Sequence, residues 1–296
     1  MDNLRGALLM VLAMTGFAFE DAFIKYMAAD LHIGHILMLL GLGGTVIFAL
    51  ASALQGQPVV TRALVSKPIL LRNLGELIAA IGFVTALSMA DLSLVSAILQ
   101  ANPLAVTLAA ALFMGETVGW RRYSAIAVGF LGVLMIIRPG FDGFNFASLW
   151  ALTAVFALAL RDLATRRAPP SVTSMQISTY AFATIALSGL GLLLMGGEPL
   201  LPAGFPLWPL GGALVAGCTG YYAVVAANRV GDVSFISPFR YSRLLVALAI
   251  GIIAFGERPD AWTLLGSAII IGSGLYTILR EQRLKRRSRD TAVKPT

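Results

Sequence analysis

ADLSLVSAILQANPLAV, residues 90–106, and GDVSFISPFRYSRLLVA, residues 231–247, are one segment written twice, and their relation decides the fold. A shift of about 141 residues lays Asp91 on Asp232, Ser93 on Ser234 and Ser96 on Ser237, a common register of the kind that marks an internal repeat. It continues to Gly115-Glu116 and Gly256-Glu257, and one added residue then pairs Trp120 with Trp262, Gly132 with Gly274 and Arg138 with Arg280. Upstream, the unmodified shift superposes Asp21 on Asp162 and Lys25 on Arg166.

Apolar runs fill each copy. Of 296 residues, 58% are hydrophobic and 12% charged, with mean hydropathy +0.83, too little charge to cover a water-soluble surface. Runs near the spanning length of about 20 residues predict helices near 4–27, 32–54, 69–89, 93–114, 120–138, 146–166, 172–195, 207–228, 234–255 and 260–280. Helices are required because a backbone in lipid must satisfy its own hydrogen bonds, and the period-2 alternation of a membrane barrel is absent. The first run meets Glu20 and Asp21 without a cleavage-site pattern and reads as a retained helix. The single cysteine, Cys218, excludes an internal disulfide and reads as packing.

Five helices per copy is an odd number, so the second copy enters the membrane from the opposite side and the repeat is inverted. The expected organisation is a first five-helix unit at 1–140, a second at 141–281 and a basic tail at 282–296. Arg5, Arg62, Lys67, Arg121, Arg122, Arg166, Arg167, Arg229 and the tail fall on one face, against Lys25, Arg138 and Arg258 on the other, which predicts that both termini are cytoplasmic. The formal charge of +7 is thus a footprint of topology rather than of nucleic-acid binding. Inverted repeats are a device for alternating access, since exchanging the conformations of the halves exchanges the open side.

The opening GALLMVLAMTGFAFEDAFIKYMA, the paired ALFMGETVGWRR and IIAFGERPDAW, and the glycine-rich AVGFLGVLMIIRPG and LLGSAIIIGSGLYTILR resemble the drug/metabolite transporter superfamily. The likeness covers nearly the whole chain and is to the ten-helix EamA-type members, including the YddG-like amino-acid exporters. That resemblance implies a bacterial inner-membrane permease and, for the latter branch, export of aromatic and other amino acids.

Charged groups at membrane depth usually face a bundle interior or a wet cavity, so Arg240 and Arg243 are candidates to meet a substrate carboxylate, although long stems also allow snorkelling to the interface. Gln100, Asn102 and Tyr241 occupy repeat-related places beside them, Gln100 matching Tyr241 and Asn102 matching Arg243. Arg72 and Glu76 are four apart and expected to pair; Glu76 with Asn73 either lines a cavity that binds an ammonium group or belongs to a structural pair. Glu20, Asp21, Arg161 and Asp162 are gating or coupling candidates or solvated helix ends, and Pro103 and Pro238 are hinge candidates or tolerated kinks. Tyr221, Tyr222 and Trp208 are offered as pocket walls, while Trp120, Trp150 and Trp262 read as interfacial anchors. Glu116 and Glu257 are expected to complement the positive ends of the fifth and tenth helices, and Asp91 with Ser93, like Asp232 with Ser234, to cap helix starts.

No phosphate-binding G-x-x-x-x-G-K-[ST] occurs, and His32 with His35 lack a second ligand cluster, so neither enzyme chemistry, a cofactor nor a metal site is expected. The expected partners are a small-molecule substrate and membrane lipid, with oligomeric state left open. The leading reading is a secondary transporter exporting amino acids through a cavity between helices one, three, four, six, eight and nine. Uptake or exchange of a nucleotide-like or sugar-like solute, or lipid handling, are the alternatives. Arg240→Ala and Arg243→Ala are each expected to lower transport without lowering membrane abundance, measured by uptake against immunoblot.

Overall fold

The protein is described by a computed structural model that covers residues 2–115, 119–140, 144–202, 204, 206–230 and 233–292. It contains α1 (Asp2–Met27), α2 (Ile33–Leu54), α3 (Lys67–Met89), α4 (Leu92–Leu99), α5 (Asn102–Phe113) and α6 (Trp120–Ile137). The second half contains α7 (Ala147–Arg166), α8 (Ser174–Gly196), α9 (Trp208–Val230), α10 (Val233–Ile236), α11 (Ser242–Phe255) and α12 (Ala261–Ala292). Among the described residues nine segments combine spanning length with an apolar window, α4 and α5 counting as one. With α9, 23 residues long, there are ten segments of spanning length.

Helix ends follow local chemistry. Gly34 N–H donates to His32 Nδ1 at 3.1 Å to start α2, and Thr173 with Gln176 forms a reciprocal capping box on α8. Gly197 and Gly256, at φ 69° and 66°, end α8 and α11 in the left-handed region that a Cβ disfavours. Spans four and nine are each interrupted near a proline. Pro103 removes an N–H and crowds the Leu99 carbonyl, so Gln100 and Ala101 N–H turn back to Ala97 and Ile98 carbonyls at 3.3 and 3.0 Å. Pro238 lies in a 3-10 turn, Ser237–Tyr241, which separates α10 from α11. The last helix also exceeds expectation: α12 continues through much of the basic tail to Ala292, because the segment past Arg280 is rich in good helix formers and has no Gly or Pro before Pro295.

The five-helix units pack across a pseudo-two-fold axis. Equivalent helices meet directly, α2 on α8 and α6 on α12, and the other main contacts come in swapped pairs: α1 on α9 with α7 on α3, and α1 on α11 with α7 on α5. The sequence register holds at atomic scale. A Cβ on Gly16 would stand 2.8 Å from the Ala216 carbonyl oxygen, and one on Gly75 would stand 2.9 Å from that of Ala157; the shift that takes Gly16 to Ala157 takes Gly75 to Ala216. Gly132 and Gly266 bring α6 and α12 together in the same manner, each close to the other's carbonyl. Lipid offers no hydrophobic drive for helix association, so close backbone approach at small residues supplies the attraction.

The symmetry is broken at the ends. The end that carries Lys25, Asp91 and Glu257 is closed by α4, which packs on α11, α7, α12 and α1. Its two-fold counterpart, α10 with Ser237–Tyr241, rests on α1, α12 and its chain neighbours, with no comparable packing on α5, α6 or α7 among the described residues. Ile98 is accordingly 0% exposed, whereas its equivalent Phe239 is 37% exposed. The bundle is sealed at the Lys25 end and splayed at the end where α7 finishes and α10 begins.

Gly16→Leu and Gly75→Leu are each expected to lower stability by ~1–3 kcal/mol through overpacking, read as a fall in the thermal midpoint of detergent-purified protein. Gly191→Ala, where an added Cβ meets nothing within 4 Å, should leave the midpoint unchanged or slightly raised.

Candidate functional site

The interrupted spans place polar groups in the middle of the bundle. Asn102, the first residue of α5, donates through Nδ2 to Asp162 Oδ2 at 3.4 Å. Arg243, its repeat equivalent, donates to both oxygens of Asp21, with Nη2 at 2.7 Å from each and Nε at 3.0 Å from Oδ2. One interaction is therefore built twice, from span four to span six and from span nine to span one. In one copy it is an amide on a carboxylate and in the other a guanidinium fork on a carboxylate, the stronger form. Asp21 is 2% exposed, so it is not a solvated helix end, and Arg243 also lies 5.6 Å over the Phe17 ring.

A second cluster joins α3 to α7. Arg72 Nη2 is 2.9 Å from Glu76, and Arg161 reaches Glu76 at 3.5 Å and Asp162 at 2.8 Å. Arg72 Nη1 also donates to Asn73 Oδ1 at 3.3 Å. Glu76 is thus held between two guanidinium groups, and Asn73 faces a cation; the expectation that they receive an ammonium group gives way to an internal ion-pair network. The repeat equivalents of Arg161 and Glu76 are Glu20 and Gly217. There the Glu20 carboxylate lies against bare backbone, since a Cβ on Gly217 would be 2.6 Å from Oε1. The α3–α7 copy is a salt bridge and the α1–α9 copy is a carboxylate without hydrogen bond or ion pair among the described residues.

Arg240 differs from the other interior arginines. It lies in the Ser237–Tyr241 turn with its side chain exposed, and no hydrogen bond or ion pair holds it among the described residues. Asp162 acts on it electrostatically. Arg72 and Arg161 are engaged by Glu76, and Arg161 also by Asp162, so of these three arginines Arg240 is the one with no ion pair among the described residues, and its guanidinium could receive an incoming anionic group.

The remaining expectations divide. Gln100 sits half-buried at the α4 break, with its backbone N–H on Ala97. Tyr221 is committed to α8: its hydroxyl accepts from Ser178 at 2.9 Å and donates to the Ser174 carbonyl at 3.3 Å, and its ring meets Phe48 edge-on. Tyr241 is buried against α12, where a Cβ on Gly274 would overlap its hydroxyl. Tyr222 and Trp208 are exposed, the latter packed on Phe23 and Tyr26. His35 Nε2 contacts the Pro199 carbonyl at 2.7 Å, and no metal-binding cluster occurs among the described residues.

Glu257 requires a correction. Rather than complementing α12, whose Thr263 N–H is capped by Asp260 at 2.8 Å, it crosses to α4. It accepts from Leu92 N–H at 2.6 Å, from Ser93 N–H at 2.9 Å and from the Ser93 hydroxyl. Asp91 stands at the start of α4 without a side-chain capping bond. The dipole argument selects a carboxylate for a helix start, but only the packing of α11 on α4 selects which helix. Glu116 and Asp232 lie outside the described residues, as does the end of the tail, residues 293–296.

A sequence profile of the EamA-like transporter family matches residues 4–138 and 145–279. The chain is similar to a riboflavin transporter of Vibrio cholerae, 31% identical over 197 residues that cover 66% of this chain and 65% of the relative. It is also similar to an S-adenosylmethionine uptake transporter of Rickettsia felis, 27% identical over 64% of each chain. A pseudopaline exporter of Pseudomonas aeruginosa is 27% identical over 90% of this chain and 93% of its own. The matched stretch is thus just under two thirds of the length of the first two relatives. A crystal structure 19% identical in sequence shares the fold, with TM-score 0.61 over 95% of this chain and 99% of the other.

The pairing of Arg243 with buried Asp21 separates it from Arg240. Arg243→Ala is expected to destabilise the protein by about 3 kcal/mol, the loss typical of stranding one member of a buried pair, and so to lower abundance as well as transport. Asp21→Asn combined with Arg243→Gln should recover much of the abundance, measured as the monodisperse peak of detergent-extracted protein.

Proposed function

Because the chain belongs to the EamA-like transporter family, we propose that it is a secondary transporter moving a small carboxylate-bearing metabolite through its central cavity by alternating access. Amino acids, aromatic ones included, are the leading substrates and export the leading direction. The observation that carries this reading is the broken symmetry of an inverted repeat: α4 is packed shut at the Lys25 end while its counterpart is splayed at the other. Exchanging the two arrangements would open the opposite end, which is the motion alternating access requires. With both termini in the cytoplasm of a bacterial inner membrane, as the Lys and Arg bias supports, the present state is open inward. Arg240 is the group placed to take the substrate carboxylate. Glu20, the interior carboxylate without an ion pair among the described residues, is the group available to a coupling cation, and the breaks at Pro103 and Pro238 are where the spans would bend.

A second reading is uptake or exchange of a larger solute, favoured by relatives named for riboflavin and S-adenosylmethionine. Counterflow into proteoliposomes distinguishes the two. Vesicles preloaded with amino acids are expected to accumulate labelled amino acid saturably, whereas exchange confined to riboflavin or S-adenosylmethionine would replace the amino-acid reading with the second. Arg240→Ala should lower transport efficiency about tenfold or more, the scale of one lost charge-assisted contact, and Arg240→Lys should restore part of it. An imposed pH gradient should accelerate wild-type flux, and Glu20→Gln should remove that acceleration.

A further inference from the structure

We propose that Glu257 is the positioning residue that holds the Lys25 end of the cavity shut, acting as a latch that must release for the transporter to open on that side. The proposal deepens the alternating-access reading and rests on it.

Glu257 belongs to the connection after α11, yet its carboxylate takes both N–H groups at the start of α4 and the Ser93 hydroxyl. It is 7% exposed. Lys25 of α1 completes the arrangement: its ammonium donates to the Ala90 carbonyl at 2.6 Å and stands 3.8 Å from Glu257 Oε1, over the Phe255 ring. Three spans are therefore pinned at one point by one carboxylate. The neighbouring residue of α11 is Gly251, where a methyl group would overlap the Glu257 carboxylate and the Ser93 hydroxyl. The absence of a side chain there is what lets the carboxylate reach α4.

The two-fold relation says what opening involves. At the opposite end, the counterpart of α4 makes no comparable packing on α5, the counterpart of α11, among the described residues. Converting the Lys25 end to that arrangement separates α4 from α11, and the three hydrogen bonds to Glu257 cross that seam. An ionised carboxylate on helix-start N–H groups is among the stronger intramolecular contacts, so it weights the equilibrium toward closure. Release must be compensated by contacts formed elsewhere, which places the balance between the two states in this residue.

Ser96, one turn deeper in α4, is 5% exposed with a hydroxyl that has no hydrogen-bond partner, and so reports on opening. The test is the labelling rate of Ser96→Cys by a membrane-impermeant maleimide, in a Cys218→Ser background reconstituted without substrate. Glu257→Ala and Gly251→Ala are each expected to raise that rate about tenfold or more, the factor for loss of charge-assisted hydrogen bonds, with Glu257→Gln raising it less. Gly251→Ala and Glu257→Gln keep the test available where Glu257→Ala fails to fold. Wild-type labelling rates in every variant that elutes as a monodisperse peak would overturn the latch, including the case in which only thermal stability falls. Counterflow of the same wild-type preparation reports separately on transport, so failure of the latch and failure of the transport reading are distinct results.

Discussion

Close approach of helix backbones at glycine is the contact on which the bundle depends. In lipid, apolar side chains gain nothing from leaving the surroundings, so association relies on packing and internal hydrogen bonds. Gly16 against Ala216, Gly75 against Ala157 and Gly132 against Gly266 supply it. The first two contacts are two-fold copies of each other. Two five-helix units of opposite orientation therefore interdigitate, with helices of one half completing the walls of the other, and a movement in one half is felt at the matching contact of the other.

Onto that symmetric frame the chain places asymmetric charge. Asp21 and Asp162 are equivalent, but the first meets a guanidinium and the second an amide together with a neighbouring arginine. Arg161 and Glu76 form a bridge where the related positions hold Glu20 and Gly217. Burying these ions is costly unless each is paired, which explains why Arg72, Glu76, Arg161 and Asp162 form one connected network. The same argument singles out Arg240, whose charge has no such partner among the described residues and whose side chain is exposed in the splayed region. The scaffold is close to symmetric, and the charges it carries are not.

Closure at one end and splay at the other follow from where α4 and its counterpart find partners. α4 is tied by Glu257 and Lys25 and covered by α11 and α12. Among the described residues α10 and the turn after it pack mainly on α1 and α12 and on their chain neighbours, and Phe235, Phe239 and Arg240 are exposed there.

Much of this was legible in the sequence, because its causes are local or periodic. Spans follow from apolar length, inversion from an odd helix count, and the repeat register from paired Asp, Ser and Gly-Glu positions; Arg72 meets Glu76 because four residues make one helical turn. The partners of Asp21, Glu257 and Tyr241 were not legible, since each lies on a helix far away in sequence and the choice among several opposite charges or small residues depends on which helices pack together. Repeat equivalence placed Asn102 with Arg243, but it could not tell which arginine would be consumed by an acid and which left free. Pro103 and Pro238 marked the weak points of two spans; whether the chain bends there depends on the neighbours that receive the freed groups. The sequence by itself determined a ten-span inverted repeat of small-residue helices, because lipid forces each segment to satisfy its own backbone. Only the tertiary structure decided which charges neutralise each other and which end is shut, because those depend on distances between spans that no local rule encodes.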